Sequence, residues 1–382
     1  MKYTPTTMQA LTACAGLLGS LVASGAHAQA APPSSVTLYG LIDAGVEYVN
    51  KVDGKGSLQR MPSNTGSLPS HVGFRGSEDL GNDLRAVFTA EMGFAPDQGT
   101  AGQGGRLFGR QAFVGLAGPL GAVTAGRQYS MLFWSMLDAD IIGPAVHGIG
   151  SLDSYIPNAR ADNALAYRGT FGALQLGAQY SLGRDAVNAG PSPVGTNCPG
   201  ESADSKACRQ WSMLGKYDTP GWGVALAYDR QHGRALTGGT DAVFGGLNSS
   251  SKTDERLHLG GYVKIADAKI GAGLLRRDND GDAVKPRSDM WYLGAAYPLT
   301  KALTLDGQVM NLRYRNVADY DSTLVTARLV YSFSKRTAVY GQIGHISNDR
   351  RAAVSVSGGA TGSNPAAGSS QDGLMVGMRH SF

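Results

Sequence analysis

The 382-residue sequence lacks the features that mark several protein classes. Beyond residue 28 it has no uninterrupted apolar run of the roughly 18 residues that a transmembrane helix needs. Its 34 basic and 30 acidic residues form no basic block of the kind that binds nucleic acid. Neither a His-Glu-x-x-His nor a Gly-x-Ser-x-Gly motif occurs. We therefore expect no nucleic-acid partner, no catalytic residue, no metal and no cofactor.

Cysteine is scarce as well. Cys14 lies in the first segment, and Cys198 and Cys208 lie in a polar stretch rich in proline and glycine. An even pair in an oxidising compartment predicts one disulfide between Cys198 and Cys208. A metal site is the alternative, although no second Cys or His pair lies near them.

Glycine is abundant, with 54 residues, while 42% of the residues are hydrophobic. No Gly-X-Y period and no proline excess accompany it, which excludes a collagen-like chain and a low-complexity linker. Glycine is useful where strongly curved strands bend or where backbones approach closely. The composition is therefore compatible with a large β protein.

The first segment has the layout of a secretory signal peptide. Lys2 precedes an apolar stretch over residues 11–22, and Ala26 and Ala28 form a small-residue cleavage site. We expect cleavage after Ala28, which removes Cys14. The expected domains are a signal peptide, residues 1–28, and one mature domain, residues 29–382.

Side chains alternate between apolar and polar along most of the remaining chain. Val36, Leu38 and Ile42 share one parity, whereas Asp43 and Glu47 share the other. A period of two predicts β-strands whose two faces meet different surroundings. Residues 83–94 and further segments up to the C-terminus repeat the pattern.

The connections between these segments alternate in length. Short ones are expected at residues 77–82, 117–121, 219–221, 266–268 and 334–336, and long ones at 51–67, 129–162, 183–209, 232–254 and 349–371. Short turns on one rim and long loops on the other are typical of an outer-membrane barrel. The sequence predicts an all-β, antiparallel, up-and-down transmembrane barrel of about sixteen strands. A two-sheet sandwich or a β-helix is the alternative.

The same parity assigns the charged residues to the inside of the barrel. A charge on the lipid side near the bilayer midplane would cost roughly 2 to 4 kcal/mol. The side chains expected to face inward are Asp43, Glu47, Glu91, Arg75, Arg85 and Arg110.

Six ordered motifs and the last residue resemble one family. They are residues 35–45 (SVTLYGLIDAG), 71–84 (HVGFRGSEDLGNDL), 110–116 (RQAFVGL), 125–129 (AGRQY), 160–167 (RADNALAY) and 378–382 (MRHSF). Together they resemble the general, non-specific porins of Gram-negative bacteria, of the betaproteobacterial type. The resemblance implies a sixteen-stranded homotrimeric barrel in the cell outer membrane, with the third long loop folded into the lumen.

The resemblance also implies a function. Such a barrel is a water-filled channel for the passive diffusion of small hydrophilic solutes and ions, and it is not an enzyme. Its expected partners are outer-membrane lipid and lipopolysaccharide, and the barrel-assembly machinery during biogenesis. Phe382 ends an alternating strand that resembles the signal recognised by that machinery.

A constriction follows from the same resemblance. Arg75, Arg85, Arg110 and Arg127 are expected to form its basic wall. The acidic side belongs to the third loop, residues 129–162, with Asp138, Asp140 and Asp153 as candidates. The Pro-Glu-Phe tip of the enteric relatives is absent, so the choice among these acids stays open.

Two alternative functions remain open, a substrate-specific outer-membrane channel and a non-conducting surface adhesin built on the same barrel. A small excess of basic residues predicts weak ion selectivity without deciding its sign. Solute preference, voltage gating and loop-bound Ca²⁺ are not determined by the sequence.

Overall fold

The computed structural model describes residues 35–62, 65–184, 201, 203–235, 247–281, 284–358 and 362–382. The signal peptide predicted over residues 1–28 lies outside the described residues. Cys198 lies outside them too, so its pairing with Cys208 stays a prediction.

The described residues contain eighteen strands in one sheet, of which sixteen are long and two are short. The strands are β1 (Ser35–Val52), β2 (Gly56–Arg60), β3 (His71–Gly81), β4 (Leu84–Ala95), β5 (Thr100–Ala101), β6 (Gln111–Gly118), β7 (Gly121–Tyr129), β8 (Arg160–Phe171), β9 (Leu174–Arg184), β10 (Gln210–Asp218), β11 (Trp222–His232), β12 (Thr253–Ile265), β13 (Ala268–Asn279), β14 (Arg287–Pro298), β15 (Leu303–Tyr314), β16 (Ser322–Ser332), β17 (Thr337–Asn348) and β18 (Gln371–Ser381). The two short strands, β2 and β5, extend loops, so the sixteen long strands form the wall.

The sheet closes on itself. Each long strand pairs antiparallel with the next long strand along the chain, and β1 pairs with both β3 and β18. At this seam Ile42 lies opposite His380, and the backbone groups of Gly40 and Phe382 exchange two hydrogen bonds of 3.1 Å. The predicted sixteen-stranded antiparallel barrel is confirmed, and a sandwich or a β-helix is excluded because the sixteen described long strands form a closed ring.

The two faces of the wall differ in chemistry. Val36 and Val46 on β1 are 66% and 56% exposed, whereas Asp43 and Glu47 on the opposite face are 1% and 0% exposed. Val114 on β6 repeats the outward apolar pattern with 60% exposure. Exposed apolar and buried charged side chains reverse the arrangement of a water-soluble protein, as expected where the outside meets hydrocarbon.

Short turns join the strands at one rim. Asn82 and Asp83 connect β3 and β4 with φ angles of 53° and 61°, the left-handed conformation that a two-residue hairpin turn requires. The pairs β10–β11 and β12–β13 are separated only by residues 219–221 and 266–267, close to the predicted turns. The long connections lie at the other rim.

Helices are few and short in the described ranges. They are α1 (Gly102–Gly105), which is a kinked turn, and α2 (Met131–Met136), with 3₁₀ turns at Ile149–Ser151 and Ile156–Asn158. No helix in the described part of the chain is long and apolar enough to cross a membrane.

Candidate functional site

The inner face between β3 and β8 carries all four arginines of the predicted basic wall. Arg110, immediately before β6, is buried and donates to Glu91 of β4 with Nε 2.5 Å from Oε1. The Tyr39 hydroxyl of β1 donates to the other oxygen of Glu91 at 2.8 Å. Arg110 and Glu91 both lie on the inner face, as the parity predicts, and their charges offset each other.

Arg127 lies beside this pair because a β-bulge redirects it. The register of β7 against β8 shifts between Gly126 and Gln128, and Gly126 has φ +131°. The Arg127 guanidinium therefore reaches the carbonyl oxygen of Gly109 at 2.6 Å and the carboxylate of Asp162 at 2.6 Å. Arg127 is buried and shares the Asp162 carboxylate with Arg106, whose Nη1 lies 2.9 Å from Oδ1.

Arg75 and Arg85 differ from these two arginines. Both are exposed side chains on the inner face, Arg75 on β3 and Arg85 on β4. The Arg75 guanidinium lies 5.2 Å from the ring centroid of Tyr39, a cation–π contact that leaves its positive charge in place. These two residues are the part of the predicted wall that can meet a solute.

Residues 130–159, which connect β7 to β8 and are called L3 below, lie against the inner face. The backbone N–H of Met131 donates to the Ser212 hydroxyl of β10 at 2.8 Å. The Ser135 hydroxyl of α2 is 2.8 Å from Nδ1 of His258 on β12, whose Nε2 is 2.9 Å from the Tyr292 hydroxyl. The start of L3 is thus held to the wall by buried hydrogen bonds.

The middle of L3 continues along the wall to the opposite side. Gln308 of β15 accepts from the backbone N–H of Ile141 at 2.8 Å and from that of Ile142 at 3.3 Å. Farther along, Nε2 of His147 lies 2.9 Å from Oε1 of Glu47 on β1, and both side chains are fully buried. Glu47 is therefore an anchor for L3 as well as an inward-facing acid.

Asp43 has a similar structural environment. Its carboxylate accepts from the backbone N–H groups of Ser67 and Leu68 at 2.9 Å each, and from the hydroxyl of Tyr340 at 2.6 Å. These donors belong to the β2–β3 connection and to β17. Asp43 lies on the inner face, as the alternation predicts, and it is covered there.

The three candidate acids of L3 have different surroundings. The Asp138 carboxylate is 40% exposed and pairs with Lys216 of β10 at 2.5 Å. Asp153 is buried and forms an ion pair of 3.1 Å with Arg256 of β12. Asp138 is therefore the candidate that a passing ion can meet, while Asp153 fastens L3 to the wall.

Asp140 lies deeper than Asp138. Its carboxylate accepts from Nε2 of Gln308 at 2.8 Å and from the N–H of Gly143 at 3.1 Å. Burial raises the pKa of Asp140 above its usual range, against the opposing effects of these two hydrogen bonds and of the positive charge of Arg328. The structure thus places Asp140 in a position that disfavours its ionised form.

A second cationic group lies on the inner face across from Arg75. Lys264 and Lys269 lie 5.7 Å and 4.6 Å from the ring centroid of Tyr262 on β12. The Tyr262 hydroxyl donates to Asp218 at 2.6 Å, and Lys216 lies between Asp138 and Asp218. Neither lysine was predicted to face the lumen. The alternation of the residues around Val263 and Ile270 nevertheless assigns both lysines to the inner face.

Three arginines around L3 were also missed. Arg160 stacks over Tyr129 at 4.5 Å, Arg168 over Trp134 at 3.7 Å and Arg256 over Tyr155 at 4.6 Å. Each aromatic partner belongs to β7 or L3. Arg256 and Tyr155 are far apart in the sequence, so no local pattern predicts their contact. For Arg168 the parity with outward Leu165 was a usable signal.

Phe382 lies at the barrel seam. It is 42% exposed, and its ring packs against Gly40, where a Cβ atom would come within 2.4 Å of the ring. Gly40 thus provides the space for the terminal ring.

Cys208, one of the two cysteines of the predicted disulfide, lies in the connection between β9 and β10 and is buried.

A closed barrel with an apolar outer face and a charged inner face defines a channel-forming protein of the outer membrane. The profile of the Gram-negative porin family matches residues 10–351. The chain belongs to the Gram-negative porin family, and it is a passive channel located in the cell outer membrane.

Individual relatives agree with this family. The outer membrane porin protein 32 of Delftia acidovorans is 31% identical over 389 residues, which cover 96% of this chain and 98% of the relative. An outer membrane porin protein of Bordetella pertussis is 29% identical over 309 residues, with coverage of 75% and 73%. The solved structure of an anion-selective porin from Comamonas acidovorans matches with a TM-score of 0.72 and 23% identity, covering 92% of this chain and 100% of that one. This structural likeness concerns the fold.

Proposed function

We propose that this porin passes small hydrophilic solutes without catalysis and prefers anions over cations. The observation that carries the preference is the imbalance on the inner face. Arg75 and Arg85 are exposed there, and within the described ranges no carboxylate lies within ion-pair distance of either one. Lys264 is exposed on the opposite side. Fixed positive charge raises the local concentration of anions and lowers that of cations.

The paired residues add little to this preference. Arg110 is offset by Glu91. Asp162 is shared by Arg127 and Arg106, which leaves one positive charge in excess, and Lys216 lies between Asp138 and Asp218, which leaves one negative charge in excess. A solved structure with the same fold is described as an anion-selective porin from Comamonas acidovorans. This description supports a preference for anions in the present channel.

Measurement of the reversal potential in a KCl gradient across a planar bilayer tests this proposal. We expect a reversal potential of the sign that a chloride-selective channel produces. Arg75→Gln is expected to shift the potential toward the cation side, whereas Arg276→Gln is expected to leave it unchanged, because Arg276 is on the outer face of β13 and pairs with Asp289. A cation-selective wild-type channel would overturn the proposed preference.

The assembled unit proposed here is a homotrimer. A structure of a Vibrio cholerae outer membrane protein with the same fold is described as a trimer form, with a TM-score of 0.62. Three channels in one unit should produce current steps in groups of three. We further propose outer-membrane lipid and lipopolysaccharide as surroundings of the apolar face, and recognition of the strand ending at Phe382 by the barrel-assembly machinery.

A further inference from the structure

One arginine of the inner wall is stacked on an aromatic ring of L3. The Arg168 guanidinium carbon of β8 lies 3.7 Å from the ring centroid of Trp134 in α2. Arg168 is exposed, and Trp134 is partly buried. A guanidinium stacked in this way keeps its N–H donors at its edge, because they lie in the plane of the group.

These edge donors are not engaged by an acid. In the part of the chain that the structure describes, no carboxylate lies within ion-pair distance of Arg168, and the Trp134 ring is what holds its guanidinium. Arg110 and Arg127, by comparison, each hold a carboxylate at 2.5 and 2.6 Å. Arg168 is therefore positioned by a ring and able to donate to an anion in a bidentate manner.

A second exposed arginine lies on the same row of the wall. Arg85 of β4 is opposite Ala117 of β6, Ala117 is opposite Ala122 of β7, and Ala122 is opposite Arg168. Three inter-strand spacings separate the two arginine backbones by about 14 Å. Two small alanine side chains lie between the two arginines on this row.

The side chains of L3 next to Arg168 are aromatic. The rings of Phe133 and Trp134 meet edge to face with centroids 5.6 Å apart, and Phe133 stacks on Tyr129 at 3.8 Å. Both Phe133 and Trp134 are partly buried, which fixes the rings and leaves part of their surface uncovered. Apolar surface beside a charged donor suits a molecule that combines a ring with a negative group.

We propose that Arg168 and Trp134, with Arg85 as a second positive charge on the same row of the wall, form a binding site for organic anions that carry a carboxylate on a planar apolar body. The carboxylate accepts from the edge of the Arg168 guanidinium, and the planar body packs against the rings of Trp134 and Phe133. This proposal names a solute class for the proposed function and therefore rests on it.

Single-channel currents carried by KCl test the site, with benzoate as the probe. We expect benzoate to reduce the open-channel current in a saturable manner. Acetate has the charge without the ring, and benzyl alcohol has the ring without the charge, so each is expected to reduce the current far less. Arg168→Gln and Trp134→Leu are each expected to weaken the benzoate effect about tenfold, the loss of one charge-assisted or stacking contact.

Arg276→Gln, on the outer face, is the matched control and is expected to keep the wild-type response to benzoate. Arg168→Lys keeps the charge without the planar fork and is expected to give an intermediate response. A normal current that benzoate does not reduce would overturn the site and leave the proposed channel intact. A wild-type benzoate response in both Arg168→Gln and Trp134→Leu would overturn the site as well, and a wild-type protein without any current would overturn both proposals.

Discussion

Glu91 on the inner wall provides the negative charge that Arg110 needs. Both side chains are buried, so removing one charge leaves the other without compensation. We expect Glu91→Gln to lower the free energy of unfolding by about 3 kcal/mol. The measurement is urea-induced unfolding of the folded protein in detergent, followed by tryptophan fluorescence.

Glu255→Gln is the matched control for this change. Glu255 forms an ion pair of 3.2 Å with Arg230, but the two side chains are 35% and 37% exposed. Exposed pairs contribute less than about 1 kcal/mol. Equal losses of stability in the two variants would contradict the importance assigned to burial.

Asp140 predicts a pH dependence with a definite sign. Because burial raises its pKa in the folded protein, the stability associated with its neutral form is fully present below the pKa of the unfolded chain. That stability is lost as the pH rises through the raised folded pKa. Asp140→Asn removes the titration and retains an oxygen that can accept from Gln308 and Gly143.

The prediction is therefore a difference between two proteins. Thermal denaturation from acidic to neutral pH should show Asp140→Asn gaining stability relative to the wild type as the pH rises. A difference that is constant over the whole pH range would mean that Asp140 is readily ionised where it lies.

At the scale of elements, L3 depends on a few side chains that bind its backbone. Gln308 accepts from the N–H groups of Ile141 and Ile142 and donates to Asp140. Gln308→Ala leaves these buried groups without partners, at a cost of about 1 to 3 kcal/mol. We expect larger fluctuations of the open-channel current and faster proteolysis within L3.

Gln342→Ala tests whether this effect is specific to L3. Gln342 is a buried glutamine on the inner face of β17, and its side-chain amide has no hydrogen-bond partner among the described residues. Its replacement should leave the current fluctuations as they are in the wild type. The same increase in both variants would show that loss of any inner glutamine loosens the barrel.

The strands could be predicted from the sequence much better than the loops. Alternation is a local property, and Val36, Asp43 and Glu47 lie on the faces that it assigns. The burial of Glu47 under His147 could not be predicted, because it joins residues one hundred positions apart through an irregular loop. For the same reason the sequence could not separate Arg75, which is exposed, from Arg110, which is buried and paired.

The molecule as a whole is a wall with one apolar and one charged face. Phe88 and Thr89 are neighbours on β4 that point to opposite faces, Phe88 outward with 37% exposure. We expect Phe88→Arg to destabilise the barrel by about 2 to 4 kcal/mol, because it places a charge against hydrocarbon. Thr89→Arg places the same charge in the lumen, so it should cost much less.

The readouts for this pair are unfolding in urea and the reversal potential. Thr89→Arg should also increase the preference for anions, since it adds a positive charge near Arg75, its partner across the strand pair. Equal destabilisation by the two substitutions would contradict the assignment of the faces.

The conductance of the purified, refolded protein in a planar bilayer tests most directly whether the barrel is an open channel. A continuous wet passage inside a closed barrel predicts large stepwise increases of current as single units insert, with a reversal potential in a salt gradient of the sign set by chloride. A membrane that takes up the protein and stays electrically silent would contradict it.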